Sequence, residues 1–154
     1  MQTQMNRGMT VPDSDDKGIV QRINDAFFAA DLKTLDELLS PDFVGYSMPP
    51  GWSNSKQGFM ELAARWAAGF SDETWTTGDL ITAEGDRVIA RYSYQATHTG
   101  EVFGIPPSGR PVTLTGIDIY RVVDGRATEW WGELNLADLF VSLPTEPGGV
   151  PQPS

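Results

Sequence analysis

Up to about residue 70 the apolar positions recur every three or four residues; from residue 74 onward they recur every second residue. The first regime predicts three helices. Residues 16–30 place Ile19, Ile23, Ala26, Phe27 and Ala30 on one helical face, with Asp13 to Asp16 as caps and as favourable negative charge at the first turn. Asp31 caps a second, shorter helix carrying Leu32, Leu35, Leu38 and Leu39, and Pro41 stops it. A short strand over 42–46 and a loop with Met48 and Trp52 follow. Ser55 then caps a third helix with Phe59, Leu62, Ala63, Trp66 and Phe70 on one side and Gly69 near its end.

The second regime predicts strands over 74–83, 87–98, 112–123 and 127–134. The turn signals Glu84-Gly85-Asp86 and Asp124-Gly125 separate them, as does a Gly/Pro-rich excursion over 100–111. Val88, Ala90, Tyr92, Tyr94, Ala96 and His98 share one face of their strand. Val112, Leu114, Gly116, Asp118 and Tyr120 share one face of the next. A short helix over 136–143 closes the domain. Helices followed by an antiparallel meander give an α+β fold: a curved antiparallel sheet with N-terminal helices, its remaining face covered by a partner subunit or curled into a pocket. The expected domain is 13–143, and the Pro/Gly/polar stretches 1–12 and 144–154 read as flexible tails.

Charge narrows the ligand. Twenty-one acidic residues against eleven basic ones give a net charge of -10, and the arginines are scattered, so phosphate backbones and anionic lipid are repelled. Nucleic acid and membranes are therefore set aside. Neutral or aromatic small molecules remain. The 154 residues hold no cysteine, which excludes disulfides, thiolate metal sites and a cysteine nucleophile. No window is long and apolar enough for a membrane helix, the N-terminus lacks a secretory apolar stretch, and a cytoplasmic location is expected.

Asp118, between Ile117 and Ile119, stands out. A carboxylate on a buried face is costly unless hydrogen-bonded, and desolvation lifts its pKa toward the range used in acid/base catalysis. On a wetter face it would be an ordinary solvated residue, and the pattern leaves both readings open. His98, the single histidine, either orients a carboxylate or shuttles a proton, or is a hydrogen-bonded residue shaping its turn. One histidine cannot build a multi-histidine metal site, and no carboxylate spacing suggests another kind of metal site. The five tryptophans, with Tyr46, Tyr92, Tyr94 and Tyr120, suit either a core or the wall of a pocket for a flat apolar ligand. Trp130 and Trp131 must point to opposite faces, with Glu129 and Glu133 on the side of Trp131. Dinucleotide, P-loop, zincin and nucleophile-elbow motifs are absent.

The run from Thr97 to Arg110 (THTGEVFGIPPSGR), followed by Gly116-Ile117-Asp118-Ile119-Tyr120-Arg121 and Asp124-Gly125, resembles the SnoaL-like polyketide cyclase (ester cyclase) family, with the similarity spanning roughly residues 17–143. The resemblance implies a cone-shaped α+β barrel of the nuclear-transport-factor-2 or ketosteroid-isomerase type, a homodimer, and no metal or organic cofactor. It implies that Asp118 acts as general acid/base in an intramolecular aldol closure of an aromatic polyketide ring, with His98 in support. Tyr46, Trp52, Trp66, Tyr92, Leu114, Tyr120, Trp130 and Asn135 are the expected substrate contacts. Two positions depart from the family pattern: Glu129-Trp130-Trp131 replaces a common Glu-His-Trp, and Asn135 replaces a common aspartate. Three functions stay in view: a cyclase, a related hydroxylase or isomerase/epoxide-opening enzyme, and a non-catalytic binding protein with the same aromatic cavity.

Overall fold

The computed structural model describes residues 12–140, with side chains from residue 15 onward. Its elements run α1 (Pro12–Ala29), α2 (Leu32–Leu38), β1 (Leu39–Gly45), α3 (Lys56–Ala68), β2 (Phe70–Thr82), β3 (Arg87–His98), β4 (Pro111–Val123), β5 (Arg126–Asn135) and α4 (Ala137–Phe140). The expected tails fall outside the described residues apart from Pro12, which opens α1. Residues 141–143 of the expected last helix lie outside them too.

Local chemistry accounts for the helix ends. Ala30 takes a left-handed conformation (φ 53°), and the N–H groups of Ala30 and Asp31 close back on the carbonyls of Phe27 and Ala26. That paired closure satisfies carbonyls the helix would otherwise leave open. Asp31 then accepts the N–H of Thr34 to start α2, and Ser55 accepts that of Gly58 to start α3. α1 begins ahead of the expected caps, so residues 13–16 lie within its first turns.

The sheet order is β1-β5-β4-β3-β2. It is mixed, not wholly antiparallel: β1 runs parallel to β5, with Val44 opposite Glu129 and Gly45 opposite Trp130. Leu39, expected at the end of a helix, is already extended and opens β1, and Pro41 sits inside this strand. An edge position with an irregular register between Leu39 and Val44 tolerates the missing N–H. β2 also starts earlier than its alternation suggests. The chain passes from the helix end at Gly69 straight into Phe70, and a register shift between Ser71 and Thr74, with Asp72 at φ 52°, masks the period there.

The helices bury one face of the curved sheet in two clusters. One gathers Ile23, Leu35, Leu39, Phe43, Phe59, Leu62, Val88 and Tyr120; the other gathers Phe28, Trp66, Phe70, Tyr94, Leu114 and Leu139. Phe59 is the joint of the first cluster, with ring centroids 5.3 Å from Phe27, 5.1 Å from Phe43 and 5.1 Å from Trp130. It ties α1, β1 and β5 to α3. Phe59→Ala should therefore cost roughly 3–5 kcal/mol in urea unfolding at unchanged m-value, and a loss under about 1 kcal/mol would mean this aromatic joint is not holding the helices down.

Candidate active site

Asp118 lies midway along β4, the central strand, with Ala90 opposite it on β3 and Gly132 opposite it on β5. Both flanking residues are small, and at Gly132 this is required. A Cβ there would stand 2.8 Å from Asp118 Oδ1 and 2.5 Å from the Trp130 ring. The gap lets the indole of Trp130 swing over and donate Nε1–H to Asp118 Oδ1 at 3.1 Å. Gly116 makes a second opening: a Cβ there would stand 2.3 Å from the Tyr92 hydroxyl, so the phenol crosses β4 next to the carboxylate.

The carboxylate is 6% exposed and borders a cavity of about 620 Å³. Burial pushes its pKa up to about 7, and the bond from Trp130 partly opposes that rise. The phenols of Tyr92 and Tyr120 are pushed upward by burial, with the charge of Asp118 adding to it, so both are neutral donors at ordinary pH.

α1 contributes Phe27 and Phe28 to the cavity, α3 contributes Leu62 and Trp66, and the sheet contributes Tyr92, Asp118, Trp130, Gly132 and Leu134. Ser47, Pro49, Pro50, Trp52, Phe103, Glu133 and Leu136 complete its lining. The loop carrying Ser47 is pinned across β5: Tyr46 N–H donates to the Trp130 carbonyl at 2.8 Å, and Gly132 N–H donates to Ser47 Oγ at 2.9 Å. Among the described residues no lysine or arginine lines this wall, and its two carboxylates are those of Asp118 and Glu133. The site therefore suits an uncharged, mainly flat apolar ligand offering carbonyl or hydroxyl groups to Asp118 and Tyr92.

Of the expected contacts, Trp52, Trp66, Tyr92 and Trp130 meet Asp118 around this cavity. The other four do not. Tyr46 is 53% exposed, stacks on Trp131 on the outer side of the sheet and donates to Glu129 at 2.8 Å. Leu114 and Tyr120 face the helices as expected but are packed into the two core clusters. Asn135 faces outward and accepts the N–H of Ala137 at the start of α4.

His98 is also elsewhere. It shares the inward face, but it stands eight residues along β3 from Ala90, and so about 25 Å of strand from Asp118 at about 3.3 Å per residue. Its ring is buried against Phe70, and Nδ1 lies 3.1 Å from Ser108 Oγ. Parity places side chains on a face but not at the same height along it.

Phe27, Phe28, Ser47, Leu62, Phe103, Gly132, Leu134 and Leu136 were not among the expected contacts. The isolated glycine between Trp131 and Glu133 was the available signal, because a glycine inside a strand often marks a close approach. Among the described residues no group of three or more His, Asp or Glu is placed to hold a metal ion, and no helix is long and apolar enough to cross a membrane.

A curved five-stranded sheet, backed by N-terminal helices around a cavity with one buried carboxylate, is the α+β cone of the nuclear-transport-factor-2 type. The chain belongs to the SnoaL-like polyketide cyclase family, whose model matches residues 17–143. It is 26% identical over 102 residues to the nogalonic acid methyl ester cyclase of Streptomyces nogalater, spanning 66% of this chain and 76% of that one. The solved structure of IdmH from Streptomyces antibioticus, a proposed polyketide cyclase, has a TM-score of 0.71 at 31% identity, covering 82% of this chain and 96% of that one. AclR from Streptomyces galilaeus, a proposed hydroxylase, has a TM-score of 0.72 at 30% identity, covering 85% and 98%.

Two predictions follow from the electrostatics. Because the Asp118 carboxyl titrates at 3.8 when exposed and at about 7 in the fold, the folded state holds the extra proton between those values. Its contribution to stability is fully present below pH 3.8 and is lost as pH rises through about 7, a full span of about 4 kcal/mol. Urea unfolding at pH 5 and pH 8 should show about two-thirds of this loss, and Asp118→Asn should abolish it. Trp130→Phe removes the one bond that lowers this pKa, so the Asp118 titration followed by carboxyl-carbon NMR should move further upward. An unchanged or lower midpoint would mean the indole does not hold the carboxylate in solution.

Proposed function

We propose that this protein is a cofactor-independent polyketide cyclase that closes a ring of an aromatic polyketide intermediate by an intramolecular aldol reaction. One observation carries it: a single desolvated carboxylate, its pKa pushed up to about 7, in the wall of an apolar cavity of about 620 Å³. The Asp118 carboxylate takes a proton from a methylene flanked by two carbonyls. The resulting enolate carbon attacks a carbonyl carbon of the same molecule, forming the new C–C bond. The carbonyl π-pair moves to oxygen, and the alkoxide recovers the proton from the Asp118 carboxyl, so the product is an isomer of the substrate.

A carboxyl titrating near neutrality suits both halves of this cycle. Trp130 holds Oδ1, and the neutral Tyr92 phenol, which lines the same cavity, would donate to the enolate oxygen. The aromatic walls fold the chain so that the two reacting carbons meet, which replaces a search through many conformers by one bound geometry. The likeness to AclR supports a second reading on the same cavity, oxygen insertion without a cofactor.

The outer side of the sheet carries Ile117 at 47% exposure and Ile81 at 53%, with Ile119 and Trp131 beside Ile117. That surface supports assembly as a homodimer through the sheet.

The chemistry is tested by offering wild type and Asp118→Asn a panel of neutral β-dicarbonyl and anthraquinone-type polyketides and weighing the products. An isomeric or dehydrated product is expected from wild type. The variant should lose at least about a hundredfold in rate with binding retained. A gain of one oxygen would select the second reading, and binding without turnover in both proteins would reject catalysis. Wild-type kcat/KM should rise with pH through about 7 as Asp118 ionises, opposite in sign to its stability. Ile117→Glu should turn a dimer into a monomer in sedimentation velocity; a wild-type monomer would refute the assembly.

A further inference from the structure

The turn Val102-Phe103-Gly104-Ile105 carries a feature that folding does not explain. Val102 and Ile105 exchange both backbone hydrogen bonds, at 3.0 and 2.8 Å, so Phe103 and Gly104 are its two central residues. Both have positive φ, 49° for Phe103 and 82° for Gly104. Such turns favour Asn or Gly at the first position, because a Cβ crowds the backbone there. Here the position holds a phenylalanine, 46% exposed.

The turn does not need this ring to hold its shape. Its base is locked by close packing: a Cβ on Gly69 would stand 2.2 Å from Val102, and one on Gly100 would stand 2.2 Å from the Ala68 carbonyl. Its tip is tied by the Glu101 carboxylate, which accepts the Gly104 N–H. The ring instead leans toward Trp66, centroids 6.3 Å apart.

Phe103, Trp52 and Trp66 are common to two cavities. One is the chamber that holds Asp118. The other, about 450 Å³, lies between α3 and the turn and is lined further by Arg65, Ala68, Glu101, Val102 and Gly104. Arg65 lies over the Trp52 ring at 5.4 Å. The strained, half-exposed aromatic thus stands at the join of the chamber with a second space to which, among the described residues, it, Trp52 and Trp66 contribute the aromatic rings.

We propose that Phe103 is a specificity-determining gate. It sets the length of the ring system that the Asp118 chamber accepts, and without it the two cavities merge into one elongated site. The inference rests on the chamber being the substrate site, but not on which reaction occurs there. The ring is held in a costly conformation because a smaller residue would admit longer substrates whose reacting carbons no longer stop beside Asp118.

The test uses two neutral probes, dihydroxyanthraquinone and a benzyl-substituted homologue, with affinities read from quenching of tryptophan fluorescence. Wild type should prefer the smaller probe by at least about tenfold. Phe103→Ala and Phe103→Asn should each reduce that preference to less than about threefold, chiefly by binding the larger probe more tightly. Phe103→Asn suits the left-handed turn and should keep or raise Tm, which a packing role for the ring would not allow. Retained discrimination in both variants, equal binding of the two probes by wild type, or a lowered Tm in Phe103→Asn would each overturn the gate while leaving the chamber as the site. If neither probe binds any of the proteins, the chamber is not an aromatic site, and the gate falls together with the function it rests on.

Discussion

Everything around the central strand is arranged to keep one carboxyl group out of water. An ionised carboxylate in an apolar wall is unfavourable unless something donates to it, and the usual relief is to hold the proton. Here the relief is partial. Trp130 donates to one oxygen at 3.1 Å, the neighbouring strands offer a glycine and an alanine, and the group is left with a pKa of about 7. The protonated and ionised forms then lie close in free energy. This tension is useful to a proton-transfer catalyst and costly to the fold above neutrality. The aromatic joint at Phe59, which presses α3 onto Trp130, is part of what keeps the arrangement in place.

The rest of the architecture follows from leaving the cavity open. Helices that packed fully onto the sheet would close it. Instead the buried residues divide into two clusters, and members of both, Leu62 and Trp130 from one, Phe28 and Trp66 from the other, form the cavity wall. With no cation among the described residues of that wall, recognition depends on shape and on a few neutral donors. This matches a protein of net charge -10 whose ligand is expected to be uncharged. It also makes boundaries, such as the turn at Phe103, more important for selectivity than any ion pair.

The two departures from the family pattern have distinct consequences. Trp130 puts a donor that cannot titrate on the buried Asp118 carboxylate, so in the proposed mechanism the proton transfer rests on Asp118. Asn135 lies on the outer side and helps start α4, away from the cavity. The likeness to both a cyclase and a proposed hydroxylase shows how little of the reaction is determined by the cone itself and how much by what is placed inside it.

Periodicity alone was enough to find the helices, the strands β3 to β5, their turns and the buried face of β4, because side-chain direction repeats with the local backbone geometry. Asp118 was legible for that reason, as a charged residue at an apolar phase. Composition determined the exclusion of thiol chemistry and the poor fit to polyanions. What local pattern could not supply was height and distance. His98 and Asp118 share a face yet stand at different ends of the sheet, Tyr46 is carried to the outer side by a parallel pairing that no nearby turn announces, and Leu114 and Tyr120 are core. The cavity wall draws on α1, α3, three connecting segments and three strands, and only the packing of segments far apart in the chain decides which side chains meet across an empty space.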